Sequence, residues 1–380
     1  MTEYWKIATP SLLIFGKGKA LKLSEAIDDL RYYRPFIVID SKVKESLKGV
    51  DVQAVLSKYT PEYFDDFSTN PKTEQVNSLV KKLRIYKPDV VVGIGGGSTI
   101  DLAKTANLTY TNGGVIEDYL NGKKTENHLL PMIFLPTTAG TGSEASPFAV
   151  IKDDTKKSKR GIENLEFLPK LVILDPEFLK SLDKVMVAAT GIDAVTHIIE
   201  SFISRNANEI TRSSAKGLLI DIIPNLEKAV FSDDINSYLK MLNAAFASRL
   251  LYPRTGLTIA HALSHPLGAY TNIHHGLAVA FFLRESMIYN QPACEDKLTD
   301  AIHLLGFGNI NVFYEWLDNF FTKSGIAKEI YSFMIDHNPP FEIMASDAMK
   351  SSNIPSNPKN TSVTDLVQVI DNSYKYWGLK

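Results

Sequence analysis

Asp89-Val-Val-Val-Gly-Ile-Gly-Gly-Gly-Ser98 is the stretch on which the fold turns. Its first half is a short β-branched run, the composition of a strand buried on both faces. Its second half is rich in glycine and opens a helical pattern over 98–109 that begins Ser98-Thr-Ile-Asp101. Strand, glycine turn and helix in that order are the unit of a mostly parallel sheet covered by helices. The unit recurs on either side: Phe36-Ile-Val-Ile39 ends at Asp40, Leu130 to Leu135 ends at Pro136-Thr-Thr138, and Leu171-Val-Ile-Leu174 ends at Asp175-Pro176. Helices fit between these runs at about 18–30 and 73–87, where Val76, Leu79, Val80 and Leu83 repeat at helical spacing.

After about residue 183 strand-like runs nearly vanish. Helical patterns follow one another at 184–203, 208–229, 235–252, 256–268, 275–289, 293–305 and beyond, punctuated by Pro253, Gly268 and Pro292. The segment 351–362 reads as a loop before a last helix, and there is no internal repeat. A chain of 380 residues suits two domains. The expectation is an α/β domain over 1–182 with a parallel sheet, and an all-α domain over 183–380.

Composition narrows the partners. A net charge of −2 gives no reason to expect nucleic acid or an anionic membrane, and small molecules remain. A single cysteine, Cys294, excludes an intramolecular disulfide and suits a reducing compartment. The start, MTEYWKIATP, lacks the pattern of a signal peptide. The longest apolar runs, such as Leu277 to Leu283, are far short of the roughly 20 residues of a membrane span. These features predict a cytoplasmic protein.

The glycines of Gly93-Ile-Gly-Gly-Gly-Ser98 let the backbone approach a ligand, and free N–H groups at a helix start attract phosphate. This is not the usual dinucleotide fingerprint, because Ser98 holds the place of its last glycine and the strand is not the first. A second loop, Pro136-Thr-Thr-Ala-Gly-Thr-Gly-Ser-Glu144, also follows a strand. Two such loops suit a pyrophosphate with its flanking groups better than one phosphate. Asp40, ending an earlier strand, is placed to accept from a ribose diol and to repel a 2′-phosphate, or is an ordinary turn residue.

Five of the eight histidines fall between 197 and 275. Asp193 and His197 lie four apart, as do His261 and His265, so each pair shares one helix face. His275 follows His261 by 14 residues, about 21 Å of rise on one helix and too far for a shared ion. A break near Gly268 and Asn272 would bring it back. Asp193, His197, His261 and His275 together read as ligands of a divalent metal. Spacing alone does not separate His261 from His265, and His274 reads as outside the ligand set.

These segments together resemble the iron-containing, group III alcohol dehydrogenases. The resemblance is carried by Asn70-Pro71, Gly95-Gly-Gly-Ser98 with Asp101 and Ala103-Lys104, Pro136 to Glu144, Asp175-Pro176, Thr190 to His197, His261 to Gly268 and His275-Gly276. It implies a dehydroquinate synthase-like fold, with an N-terminal parallel-sheet dinucleotide-binding domain and a C-terminal helical metal-binding domain. It places the metal on Asp193, His197, His261 and His275, leaving His265 to a proton-handling or positioning role. It places cofactor contacts on Asp40, Gly96, Gly97, Ser98, Thr137, Thr138, Ser143, Lys159 and Leu179. The implied cofactors are NAD and Fe(II) or Zn(II), the implied assembly a homodimer, and the implied chemistry hydride transfer between a C–OH group and nicotinamide.

Two positions depart from the family pattern. Arg254 stands where many members carry a small or neutral polar residue, and Phe148 where Asn is frequent. An arginine in such a site matches an anionic substrate, since it binds a carboxylate bidentately, or it pairs locally. Lys159-Arg160 adds positive charge in the same reading. The short chain and its opening resemble the sugar-acid branch, in which the 8-hydroxyl of 3-deoxy-D-manno-octulosonate is oxidised on the way to lipopolysaccharide. The rival expectations are a dehydrogenase of small alcohols or polyols, a synthase of the dehydroquinate type, and a non-catalytic metal- or nucleotide-binding protein. A synthase would need a basic phosphate-binding cluster that the sequence does not show.

Overall fold

The computed structural model describes residues 8–46, 52–67, 69–153 and 158–380, the side chains of residues 42, 46, 52, 53 and 252–254 apart. The described chain divides after Leu182 into two compact units.

The first unit runs β1 (Leu12–Phe15), α1 (Leu23–Asp29), β2 (Pro35–Ile39), α2 (Ser41–Ser46), α3 (Val52–Leu56), β3 (Glu62–Phe64), α4 (Thr73–Tyr86), β4 (Val90–Gly95), α5 (Gly97–Asn112), α6 (Ile116–Leu120), β5 (Met132–Pro136), β6 (Phe148–Asp153), β7 (Ser158–Glu163) and β8 (Leu171–Leu174). Six strands form one sheet in the order β1-β8-β5-β4-β2-β3, and every pairing is parallel. β2, β4, β5 and β8 are buried along their whole length, as their unbroken apolar runs require. Alternation splits each strand between two layers. Val91 packs with Phe36, Val38 and Phe134 on one face, and Val90 and Val92 pack with Ile37, Ile133 and Leu135 on the other. The chain leaves β2 toward β3 but leaves β4 toward β5, so the strand order reverses between β2 and β4. The carboxyl ends of strands at such a reversal are where open α/β sheets bind ligands.

The antiparallel ribbon of β6 and β7 was not expected from the sequence. β7 reads Ser-Lys-Arg-Gly-Ile-Glu, with no apolar alternation to mark it. The ribbon is held from outside: Asp101 accepts from the Val150 N–H at 2.9 Å, and the Lys152 N–H donates to the Pro71 carbonyl at 2.9 Å.

The second unit is helical throughout: α7 (Lys184–Ile203), α8 (Glu209–Phe231), α9 (Ile235–Thr255), α10 (Ile259–Thr271), α11 (His275–Leu304), α12 (Ile310–Ser324), α13 (Ile326–Met334), α14 (Phe341–Ala348) and α15 (Val363–Tyr376). Asp183 caps α7 by accepting from the Met186 N–H at 2.8 Å. α7 has the length and apolarity of a membrane span, yet 94% of its most apolar window is buried inside the unit, which makes it the central core helix. The expected break after α10 falls on Asn272, in the left-handed conformation at φ 64°. The two helices expected at 275–289 and 293–305 are the two arms of α11, which meet at a break at Cys294, where φ is −149° and the backbone is not helical. Pro292, two residues earlier, lacks the N–H that would continue the ladder across it.

Candidate metal centre and nucleotide loops

Three helices of the second unit bring the predicted ligands together. α7 carries Asp193 and His197, α10 carries His261, and His275 is the first residue of α11. The Nε2 atoms of His261, His275 and His197 lie 3.2, 3.7 and 3.9 Å from Asp193 Oδ1. Ligand atoms about 2.1 Å from a tetrahedral ion are about 3.4 Å apart, so these spacings fit one divalent ion. The tightest group is Asp193, His261 and His275, each offering an atom within 4.8 Å of the others. His197 joins them through Asp193, its ring stacked 4.4 Å from that of His261. Asp193, His197 and His261 are buried, and the His275 side chain is 23% exposed, which leaves one side of the centre open.

Gly276 makes this approach possible. A Cβ there would sit 2.6 Å from the Ala189 carbonyl oxygen of α7, so only glycine lets α11 start against that backbone. His274 caps α11, its Nδ1 accepting from the Gly276 N–H at 3.3 Å, and stays out of the ligand group. His265 lies one turn beyond His261, partly exposed, its ring 5.7 Å from that of His275.

Glu200 is the residue that spacing did not single out. It lies on α7 seven residues after Asp193, on the same face, and is 3% exposed. Its Oε2 takes the His261 Nδ1–H at 2.6 Å, and its Oε1 accepts from the Ala260 N–H at 3.1 Å and from the Thr258 hydroxyl. A carboxylate on the far nitrogen fixes the tautomer that points Nε2 at a metal. Burial alone would push the His261 imidazole down, but the charge of Glu200 and the bonds to Asp193 and Glu200 raise it to about 9. Burial would likewise raise the Asp193 carboxyl, and it is outweighed by the charge of His275, then His261, then Arg249 of α9, so the carboxyl is held low. Two buried carboxylates among three imidazoles demand a cation, and the converging Nε2 atoms suit a divalent one.

In the first unit, Asp40 and the glycine loop stand side by side at the reversal, with the Asp40 N–H donating to the Ile94 carbonyl at 3.3 Å. The second loop packs down on the first: a Cβ at Gly97 would meet Thr141 Oγ1 at 2.7 Å. Gly96, Gly97, Ser98 and Thr138 are partly open, whereas Thr137, Ser143 and Leu179 are buried. The Ser143 hydroxyl donates to Asp101 at 2.5 Å. α5 starts at these glycines with no side chain capping its N-terminal amides, which leaves them for a phosphate.

Asn70 belongs to this group, although the sequence reading quoted Asn70-Pro71 only for the family resemblance and gave it no contact. At φ 61° it donates its N–H to Ser98 Oγ at 3.2 Å and accepts from Lys159 Nζ at 2.7 Å. Its buried Nδ2 has no hydrogen-bond partner among the described residues, as expected of a donor kept for an anionic ligand. Arg160 does not add charge here, because it is held by Asn121, by the Leu120 carbonyl and by Asp153. The Arg254 side chain lies outside the described residues. Phe148 opens β6, its carbonyl accepting from Lys104 at 2.9 Å.

Burial, and then the charge of Lys152 opposite it in the ribbon, depress Lys159 to about 8. Its charge is therefore present below that pH and lost as pH rises through it, well before an ordinary lysine deprotonates. The dissociation constant for NAD should rise by about an order of magnitude between pH 7 and pH 9, and Lys159→Met should flatten that profile. Isothermal titration at fixed ionic strength checks it, and equal slopes in the two proteins would remove Lys159 from the site.

Comparison with known proteins gives the family. The iron-containing alcohol dehydrogenase family matches residues 10–176, and the C-terminal family of Fe-containing alcohol dehydrogenases matches residues 187–374. Alcohol dehydrogenase 4 of Schizosaccharomyces pombe is 33% identical over 301 residues, 78% of this chain and 71% of that protein. The structure of a 1,3-propanediol oxidoreductase is similar at a TM-score of 0.88 and 26% identity, covering 98% of this chain and 100% of that one. A sulfoacetaldehyde reductase from Bifidobacterium kashiwanohense, solved in complex with NAD+, is similar at 0.86 and 25% identity, covering 97% and 98%. The chain belongs to the iron-containing alcohol dehydrogenase family, and it is an enzyme.

Proposed function

We propose that this chain is a metal-dependent, NAD-linked alcohol oxidoreductase whose substrate is a sugar acid such as 3-deoxy-D-manno-octulosonate, oxidised at its 8-hydroxyl. The observation that carries the reaction class is the convergence of three imidazole Nε2 atoms on Asp193 Oδ1 within 3.2–3.9 Å. When bound, a divalent ion supplies Lewis acidity to the alcohol oxygen, and the nicotinamide exchanges hydride with the adjacent carbon. Asp193, His197, His261 and His275 hold the ion, which this donor set allows to be Fe(II) or Zn(II). Gly96, Gly97, Ser98 and Thr138 offer backbone and hydroxyl groups to the pyrophosphate, Asn70 and Lys159 add donors, and Asp40 favours NAD over NADP. The imidazole of His265 passes the alcohol's proton outward.

The anionic substrate is supported by one relative. The similar sulfoacetaldehyde reductase is named for an anionic substrate. Other relatives are named for simple alcohols, and these supply the competing outcome. The test is a panel of sugar acids, 1,2-propanediol and butanol, read by NADH absorbance with Fe(II) or Zn(II) added. The sugar acid should lead in kcat/KM by about ten- to a hundredfold, the value of one charged hydrogen-bonded contact. A lead for the small alcohols would replace this substrate class with that one.

The protein is further proposed to act in the cytoplasm as a homodimer. β1 is an edge strand with Leu12, Leu13 and Phe15 exposed, the kind of surface that a second copy covers.

A further inference from the structure

The loop 353–361, between α14 and α15, lies at least 78 residues beyond the nearest metal ligand in the chain, yet it touches all three helices that carry ligands. At α7, the Ser356 carbonyl accepts from the Arg205 N–H at 2.9 Å and from the hydroxyl of Ser204, which closes the helix, at 3.3 Å. At α10, Asn353 Oδ1 accepts from the Leu257 N–H at 3.3 Å, and Asn357 Oδ1 accepts from the Ile259 N–H at 3.3 Å. Ser356 Oγ donates to the Leu257 carbonyl at 2.6 Å. At α11, the amides of Asn357 and Asn290 exchange two hydrogen bonds of 2.9 and 2.8 Å.

Asn357 is fully buried and Ser356 nearly so. Gly256 is fitted to them: its φ is 67°, and a Cβ there would lie 2.3 Å from Ser356 Oγ. The first amides of a helix have no partner within it. In α10 the loop takes that of Ile259 and Glu200 takes that of Ala260, so the turn bearing His261 is fixed from two sides. Buried amide pairs with every donor and acceptor used hold one geometry, because any shift strands a polar group.

We propose that the 353–361 loop positions the metal ligands: Asn353, Ser356 and Asn357 set the start of α10 against α7 and α11, and so the spacing of His261 from Asp193 and His275. The inference rests on the metal reading above. The probes are Zn(II) affinity by chelator competition and the visible spectrum of the Co(II)-substituted protein, which reports coordination geometry. Asn357→Leu keeps the shape of the amide and removes its bonds. Asn353→Ala makes a milder change at a less buried position, and Asn353→Asp keeps the acceptor for Leu257. Asn357→Leu and Asn353→Ala should weaken Zn(II) binding about tenfold and change the Co(II) bands, with Asn353→Asp retaining the native values. Ile330→Val in α13, a buried change that touches none of the loop's hydrogen bonds, should lower stability and leave both readouts unchanged. Native Zn(II) affinity and a native Co(II) spectrum in Asn353→Ala would overturn the inference. Failure of the unmutated protein to bind Zn(II) or Co(II) would instead overturn the metal reading itself.

Discussion

Replacing His261 by alanine is expected to remove stoichiometric metal and to lower alcohol oxidation about a thousandfold or more, whereas His265→Ala should keep the metal and lose only part of the turnover. The magnitude follows from what a bound ion supplies to an alkoxide-like transition state, several kcal/mol, at about 1.4 kcal/mol per factor of ten. The contrast follows from geometry. His261 is 1% exposed with Nε2 on Asp193 and Nδ1 on Glu200, while His265 is partly open, its ring 5.7 Å from that of His275. Removing His261 also takes from Asp193 and Glu200 the imidazole that bridges them. Metal content by mass spectrometry and NADH formation decide the matter together. Full metal and full turnover in His261→Ala would end the assignment, and equal metal loss in both variants would move His265 into the ligand set.

The parts of this protein that were legible in its sequence are those written locally. β2, β4, β5 and β8 are short apolar runs ended by turn residues, and the glycine loop sits between a strand and a helix. Asp193 and His197 share a helix face by simple spacing, and the turn at Asn272 returns His275 toward His261. Glu200 had a local signal too, seven residues after Asp193, but in a helix apolar on nearly every side a single carboxylate does not announce its partner. Asn70 carried less: its role depends on Ser98 and Lys159, 28 and 89 residues away. The loop 353–361 reads as a polar turn because its partners, near 205, 257 and 290, are set by the packed helices and by no periodicity. The β6–β7 ribbon was hidden for a related reason: β7 shows no apolar alternation, and β6 is fastened to α5 by Asp101 and Lys104 as well as by the buried Ala149 and Ile151, partners that no local pattern announces.

Lys104→Met is expected to be the most damaging single change in the first unit and to show how α5 builds the cofactor site. Lys104 is fully buried in α5, two turns after the glycine loop. Its Nζ donates to the carbonyls of Ser143, Ser146 and Phe148 at 2.7, 2.8 and 2.9 Å, fastening the second loop and the start of β6 to the helix that the first loop opens. Methionine matches the stem in volume but takes the ammonium donor from all three carbonyls, leaving that of Ser143 with only the backbone N–H of Ser146. Stranding buried acceptors of this kind costs about 3–5 kcal/mol in total, which for a unit of this size lowers the melting temperature by about 10 °C. Thr137 and Thr138 lie on the same loop, so KM for NAD should rise at least tenfold while the Zn(II) affinity of the second unit stays native. Asp101→Asn should do less, because the amide oxygen still accepts from the Val150 N–H and only the bond from the Ser143 hydroxyl is weakened. Calorimetry and NAD titration on the two variants separate the contributions. An unchanged KM in a destabilised Lys104→Met would mean that the loop's shape is set by its own glycines and that the buried lysine serves stability alone.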